Sequence, residues 1–449
     1  MKKKYIFTAV CLLLALAAAA AGFAAIRYRS ASPTFDTGQG SKSNSSPQTS
    51  TQAHTDLSAL ALKLSSLSGR EITAEILKNL GSDAVYGLEK AAEGGSFTAE
   101  ECRAATGFTI NALVDKYSTF ESKDMGSNGS DSFTVGFTGD INFTETGYVM
   151  THAKQMPGGV LDCIDRVFQD EMRSADIMLI NNEFPYSDRG APTPGKKYTF
   201  RADPENVHYL NDLGVDVVSL ANNHASDYGS ESFIDTVETL KSADIPYVGA
   251  GMDIDEAKRP VSFIINGYKV SFLACCGVES PIKTPLATED SAGILGSYDN
   301  GETMAQAIRE AKQTSDFVIA YPHWGIENTT SLTNAQQVNS KKWIDAGADA
   351  VIGGHPHVLQ GFEFYNGAPI AYSLGNFWFN TRTVYTGLLK LTFGAGGITT
   401  SFVPGIQSGS ETHYLEDASA RRNLYDTLEG YQPFNKVKID DSGVITPTE

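Results

Sequence analysis

Short apolar runs alternate along most of this chain with longer stretches whose apolar residues fall three and four positions apart. From Phe133 onward the short runs read "FTVGFT", "DIMLIN", "DVVSLA", "DFVIAY" and "DAVIGG". Runs of that length, rich in Val, Ile and Phe, predict buried strands. Between them lie helical patterns, among them "PENVHYLNDLG", "SESFIDTVETLKSA", "TMAQAIREAKQTS" and "AQQVNSKKWIDAGA". Asp203 and Pro204 suit the cap and first turn of the first of these. "VSFIINGYKVSFLACC" predicts a hairpin turning at Asn266-Gly267. Strands alternating with helices, together with hairpins, predict an α/β layered sheet rather than an all-β body.

Upstream, residues 56–121 carry apolar residues at helical spacing broken by glycines, which predicts a small module of three or four short helices. That module shows no recognisable chemistry, so packing or partner docking is its expected role. The polar stretch 122–131 reads as a linker, the main domain as 132–385, and 386–449 as a C-terminal extension packed on it. Residues 30–55, rich in Ser, Thr and Gln, read as a flexible tether. Residues 1–29 begin with Lys2, Lys3 and Lys4 and stay apolar from Tyr5 to Ile26. Such a run is long enough to span a bilayer, with the lysines on the cytoplasmic side. A retained single-pass anchor in the cell membrane is expected, with the folded body extracytoplasmic. Cleavage within its small residues is the alternative, and would release the protein as a secreted one.

Length and charge narrow the class. A chain of 449 residues exceeds one compact core, which fits a main domain with appendages. A formal charge of -18 excludes the basic stripe that nucleic-acid binding needs. The five cysteines form no CxxC pattern, so buried free thiols are expected rather than a thiolate zinc site or a disulfide framework.

Candidate chemistry gathers where each predicted strand ends, which is where open α/β sheets bind ligands. Asp140 follows the first run, Glu183 the second, Asn222, Asn223 and His224 the third, His323 the fourth, and His355 and His357 the fifth. Singly, each has an ordinary reading as a turn cap, a solvated charge or a satisfied histidine. Jointly they put carboxylate, amide and imidazole at one end of one sheet. Such N/O donors suit one or two divalent ions, Mn, Fe or Zn, and exclude a soft thiolate site. Two ions around a bridging carboxylate can hold a water-derived nucleophile and neutralise a phosphoryl group. His224 is placed to protonate a leaving oxygen and Asp227 to orient it. Arg201, a forked donor for phosphate or carboxylate, and Asn222 are the expected substrate contacts.

The series "GD…NNE…ANNH…PHWG…GHPH", with "YTFRADPENVHYLNDLGVDVVSLANNHASDYG", "YVGAGMD" and "SLGNF", resembles the CapA family of poly-γ-glutamate capsule-synthesis proteins, a branch of the calcineurin-like metallophosphoesterases. The resemblance covers residues 133 to 385. It implies a layered β-sandwich flanked by helices. It also implies one metal at Glu183, Asn223, His323 and His355 and another at Asp140, Glu183 and His357, with Glu183 bridging. Asn142 departs from the superfamily's usual histidine there and deprives the second metal of a ligand. The role implied is synthesis or export of an anionic capsule polymer, acting on polymer or precursor beside membrane subunits of a capsule synthase. A metal-dependent hydrolase, a non-catalytic assembly component and a secreted phosphatase all remain open, with Asn142 weighing toward assembly.

Overall fold

Strands that are apolar on both faces need cover on both faces, and this chain provides it with a second sheet inside and helices outside. The computed structural model describes residues 55–119, 122–279, 283–394, 396–431 and 437–448. The expected anchor at 1–29 and nearly all of the tether at 30–55 lie outside them. Among the described residues, no helix is long and apolar enough to cross a membrane.

One sheet runs Lys123–Gly126, Val261–Ile265, Tyr268–Cys276, Phe317–His323, Ala350–Ile352, Ala368–Ala371, Phe362–Tyr365 from edge to edge. The other runs Val437–Ile439, Val444–Pro447, Gly397–Ser408, Val384–Gly394, Phe133–Ile141, Ile177–Asn182, Val217–Ser219, Tyr247–Val248, with Asn376–Trp378 paired beside Phe133–Ile141. Alternation along each strand assigns the two faces. Phe133, Val135 and Phe137 meet Phe272, Ile319 and Tyr321 of the first sheet in the sandwich interior. Met178 and Ile180 face outward onto Phe168 and Met172 of the helix Arg166–Ser174. On the far side, Val318, Ala320 and Val351 are covered by Met304, Ile308 and Trp343 from the helices Glu302–Lys312 and Asn334–Asp345. The expected layered α/β sandwich flanked by helices is therefore what forms.

Two local predictions are realised in detail. Asn266 and Gly267 have φ of 49° and 76°, the paired positive values of a type I′ hairpin turn. Asp203 caps a 3₁₀ turn over Pro204–Val207 that leads into the helix His208–Asp212.

Other readings need correction. The helical module holds five short helices, Leu57–Ser68, Ala74–Lys78, Ser82–Glu93, Ala99–Thr106 and Ile110–Val114, around its own core. It is joined to the sheet by buried polar contacts: Asn111 donates to Asp316 at 3.1 Å, and Lys269 pairs with Asp115. The stretch read as a linker contributes an edge strand, Lys123–Gly126, held by backbone pairing to Val261–Ile265 and invisible to an apolar pattern. The boundary drawn at 385 falls inside the strand Val384–Gly394, which pairs with Phe133–Ile141 from Phe393 to Leu388. The segment after it adds the strands Gly397–Ser408, Glu411–Tyr414, Val437–Ile439 and Val444–Pro447 to the same sheet, together with the helix Ala418–Glu429.

Strand crowding fixes one glycine. A Cβ on Gly139 would lie 1.8 Å from the carbonyl oxygen of Gly375, which already accepts from the amide of Asp140 at 2.8 Å. Gly139→Ala is expected to cost about 3 kcal/mol by forcing these segments apart. Denaturant melts would measure that loss, and an unchanged midpoint would contradict the close approach.

Candidate metal centre

The carboxyl ends of parallel strands from both sheets meet at one place. Phe133–Ile141 brings Asp140, Ile177–Asn182 leads to Glu183, and Val217–Ser219 leads to Asn223. The other sheet brings His323 at the end of its strand and His355 just beyond Ala350–Ile352. Asp140, Glu183 and His323 are fully buried, whereas Asn223, His224 and His355 retain slight exposure. Gly354 keeps the floor clear, since a Cβ there would approach Asp140 Oδ1 to 3.0 Å. His355 and His357 have φ of 97° and 59°, a left-handed backbone that costs a non-glycine residue about 1–3 kcal/mol and collects at functional sites.

The donor spacing tests whether an ion fits. His323 Nε2 lies 2.9 Å from Asn223 Oδ1, 3.2 Å from His355 Nδ1 and 3.8 Å from Glu183 Oε1. Donors around a tetrahedral ion with bonds of about 2.1 Å sit about 3.4 Å apart, and these three distances bracket that spacing around His323 Nε2. A second group joins Asp140, Glu183 and His357, their donor atoms lying within 4.8 Å of one another. Asp140 Oδ2 is 3.3 Å from His357 Nδ1. Asp140 Oδ2 and Glu183 Oε1 are buried without a hydrogen-bond partner, which in a dry site a cation would compensate.

Electrostatics agree. Burial, and then the charge of Asp140, push the Glu183 carboxyl well above its ordinary range. Burial and the neighbouring imidazoles hold His323 well below its ordinary value and His355 at about 3, so both are neutral and able to ligate near neutral pH. Burial opposes protonation of His357 too, but Asp140 and Asn376 outweigh it and leave its pKa raised.

His224 stands at the edge of the cluster. Its Nδ1 bonds Asp227 Oδ2 at 2.6 Å, its Nε2 is 3.9 Å from Glu183 Oε1, and its ring packs on Phe200 at 4.2 Å. The two expected substrate contacts are both engaged within the protein. Asn222 is fully buried, donating to Asn181 Oδ1 and the Asn182 carbonyl and accepting from the His224 amide. Engaged at both its nitrogen and its oxygen, its amide holds the loop in position. The Arg201 guanidinium lies 4.2 Å over the Tyr228 ring and donates to the Arg189 carbonyl, neither of them part of the cluster. Asn142 accepts from the amide of Thr144 at 2.7 Å through its side-chain oxygen.

Three residues escaped the sequence reading. Asn181 donates to Asp140 Oδ1 at 2.8 Å and Glu183 Oε2 at 3.1 Å, which fixes both carboxylates and turns their other oxygens toward the imidazoles. Its signal was present: it lies two positions before Glu183, on the same side of a strand end. Asn376 Oδ1 sits 2.8 Å from His357 Nδ1, inside the "SLGNF" motif that reads equally well as core. Lys196, in a loop without pattern, ion-pairs with Asp227.

Fold and site define a two-sheet α/β protein with a centre suited to divalent cations. The chain belongs to the bacterial capsule synthesis protein family PGA_cap, which it matches over residues 134–381. Capsule biosynthesis protein CapA of Bacillus anthracis is 33% identical over 239 residues, covering 51% of this chain and 57% of that protein. PGA biosynthesis protein CapA of Bacillus subtilis strain 168 is 32% identical over 265 residues, covering 58% and 67% respectively. The 5'-nucleotidase of Candida albicans SC5314, a solved structure, aligns over 60% of this chain and 51% of its own at 12% identity and a TM-score of 0.33, too low to bear on the argument.

Proposed function

We propose that this chain acts in synthesis or export of an anionic capsule polymer of the poly-γ-glutamate type, through a metal-dependent hydrolytic step on a phosphoester or related bond. The observation that carries the reading is the pair of buried carboxylate oxygens, Asp140 Oδ2 and Glu183 Oε1, unpartnered and faced by imidazoles. The names of the two Bacillus relatives support the polymer class. The lysine-flanked apolar run near the N-terminus supports anchoring with the folded body outside the membrane, beside synthase subunits.

Glu183, Asn223, His323 and His355 would hold one cation, and Asp140, Glu183 and His357 a second, more labile one. Bound there, divalent ions would polarise water and neutralise charge on the scissile group. Asp227 accepts from His224 Nδ1, which directs the exchangeable proton to Nε2 at the edge of the cluster. Asn181 and Asn222 keep the carboxylates and the His224 loop in register.

A purely assembling role is the second reading, favoured by Asn142, whose side-chain oxygen is taken up by the Thr144 amide. Metal analysis of the full-length protein, with turnover on a panel of phosphoesters and γ-glutamyl polymers, separates the two. The hydrolase reading expects about one cation or more per chain and metal-dependent turnover that falls at least ~100-fold in His355→Ala. Bound metal without turnover on any substrate, in cells that still need the protein to make polymer, would establish assembly instead.

A further inference from the structure

A buried ammonium lies behind the proton donor, and no step above uses it. The Lys196 side chain is 3% exposed and pairs with Asp227 Oδ1 at 2.6 Å and Glu279 Oε2 at 2.9 Å. The first contact is an ion pair rather than a directed hydrogen bond. Its Nζ also donates to the backbone carbonyl of Asn223. Burying a lysine is costly unless it is paired and hydrogen-bonded, so a position like this one marks a structural or positioning duty.

The contacts around Lys196 have a common target. The segment from Ser187 to Phe200 crosses the rear of the His224 loop and grips Asp227 repeatedly. Thr193 gives its amide to the Asp227 carbonyl at 2.8 Å and its hydroxyl to the same oxygen at 3.0 Å. Phe200 gives its amide to Asp227 Oδ2 at 2.6 Å while its ring covers His224. From the opposite side, the Thr284 hydroxyl lies 2.9 Å from the Asn223 carbonyl and 2.9 Å from Glu279 Oε2, its one proton serving either acceptor. Lys196 is the point where this strap, the loop carrying Asn223, His224 and Asp227, and the segment bearing Glu279 are joined.

We propose that Lys196 is a positioning residue: by tying the strap to Asp227 and to the Asn223 carbonyl, it fixes the His224 imidazole against the carboxylate–imidazole cluster. Its kinetic consequence rests on the hydrolytic reading above. A misplaced His224 protonates a leaving oxygen poorly, which matters for a basic leaving group and little for an acidic one.

Two esters that share a phosphoryl group and differ in leaving group make the test, p-nitrophenyl phosphate and phenyl phosphate, on the full-length, metal-loaded protein. Lys196→Met is expected to lower kcat on phenyl phosphate about 30–100-fold and on p-nitrophenyl phosphate less than about threefold, with metal content unchanged. Lys196→Arg keeps the charge and is expected to recover most of the lost activity on phenyl phosphate. It carries the kinetic test by itself if the Met variant does not fold, expecting a small but selective loss on phenyl phosphate. Equal losses on both esters, in whichever variant folds, overturn the proposal.

Hydrogen exchange at the amides of Thr193 and Phe200 gives a readout independent of turnover. Faster exchange at both in Lys196→Met, confined to the strap and the 222–228 loop, supports the clamp, and unchanged protection overturns it. If the Met variant does not fold, Lys196→Arg is read in the same way. Wild-type protein inactive on every ester and on γ-glutamyl polymers would refute the hydrolytic reading, and the exchange result would then decide the role of Lys196.

Discussion

Glu183→Gln is expected to abolish metal binding at both positions, lowering affinity at least ~100-fold, while the metal-free variant melts higher than the metal-free wild type. Glu183 belongs to both donor groups, so one substitution strikes both. Asn181 donates to Glu183 Oε2, which fixes the glutamine with its oxygen there and its amide nitrogen where Oε1 lies. That nitrogen would face His323 Nε2 and His224 Nε2, at 3.8 and 3.9 Å in the wild type, and no longer be a buried, unpaired acceptor. Relief of that penalty is worth about 1–3 kcal/mol.

The pH dependence follows from the same residue. Its folded pKa is raised, so the stability contributed by the protonated carboxyl is present below the unfolded value, 4.5, and is lost as pH rises through the raised folded value. The advantage of Glu183→Gln over the metal-free wild type should therefore widen with rising pH. Metal uptake must displace that proton, so affinity should climb up to about tenfold per pH unit, with measurable proton release, until the raised pKa is passed. His323 and His355 act in the opposite sense. Their folded pKa values are lowered, so what they contribute is present above 6.5 and lost as pH falls through the lowered values. Melts of wild type and variant over a pH series, with a metal titration in an indicator dye, would check these signs. A variant that melts lower when metal-free, or wild-type uptake without proton release, would contradict them.

His224→Ala and Asp227→Asn are each expected to reduce turnover about 10²–10³-fold while leaving bound metal unchanged. His224 touches the cluster only at 3.9 Å and donates to no ligand atom, so its loss removes a proton donor and spares the donor set. In Asp227→Asn the new amide can donate to His224 Nδ1, and no carboxylate then balances the imidazolium that delivers its proton from Nε2. Metal analysis beside turnover separates these outcomes. Metal lost together with activity would make His224 a structural or ligating residue.

How much of this could be read beforehand differs between backbone and site. Strand-forming runs buried on both faces announce themselves, and the polar residue after each run was readable because a strand end is where chemistry belongs. Lys123–Gly126 was not readable, since an exposed edge strand is held by backbone hydrogen bonds that leave no apolar mark. The strand Val384–Gly394 was cut because its recognisable motif ends before its pairing does. Within the site, residues that present an atom to the cluster were legible from type and position. Those that hold others in place, such as Asn181 and Asn222, are ordinary amides whose duty appears only once a second strand lies beside them. Arg201, read as a forked donor, rests on an aromatic ring, a contact that sequence spacing does not announce.

The centre draws Asp140, Glu183 and Asn223 from one sheet and His323, His355 and His357 from the other. The cysteines of the described residues are free and buried. A cation held across the seam would therefore do for this sandwich what a disulfide does elsewhere, closing a loop that runs from Asp140 to His357. Unlike a disulfide, such a cross-link is set by supply. At a free ion concentration about 100 times the dissociation constant it adds about 2.7 kcal/mol, and in ion-poor surroundings it adds nothing. The lifetime of the folded domain would then follow the mineral content of its surroundings.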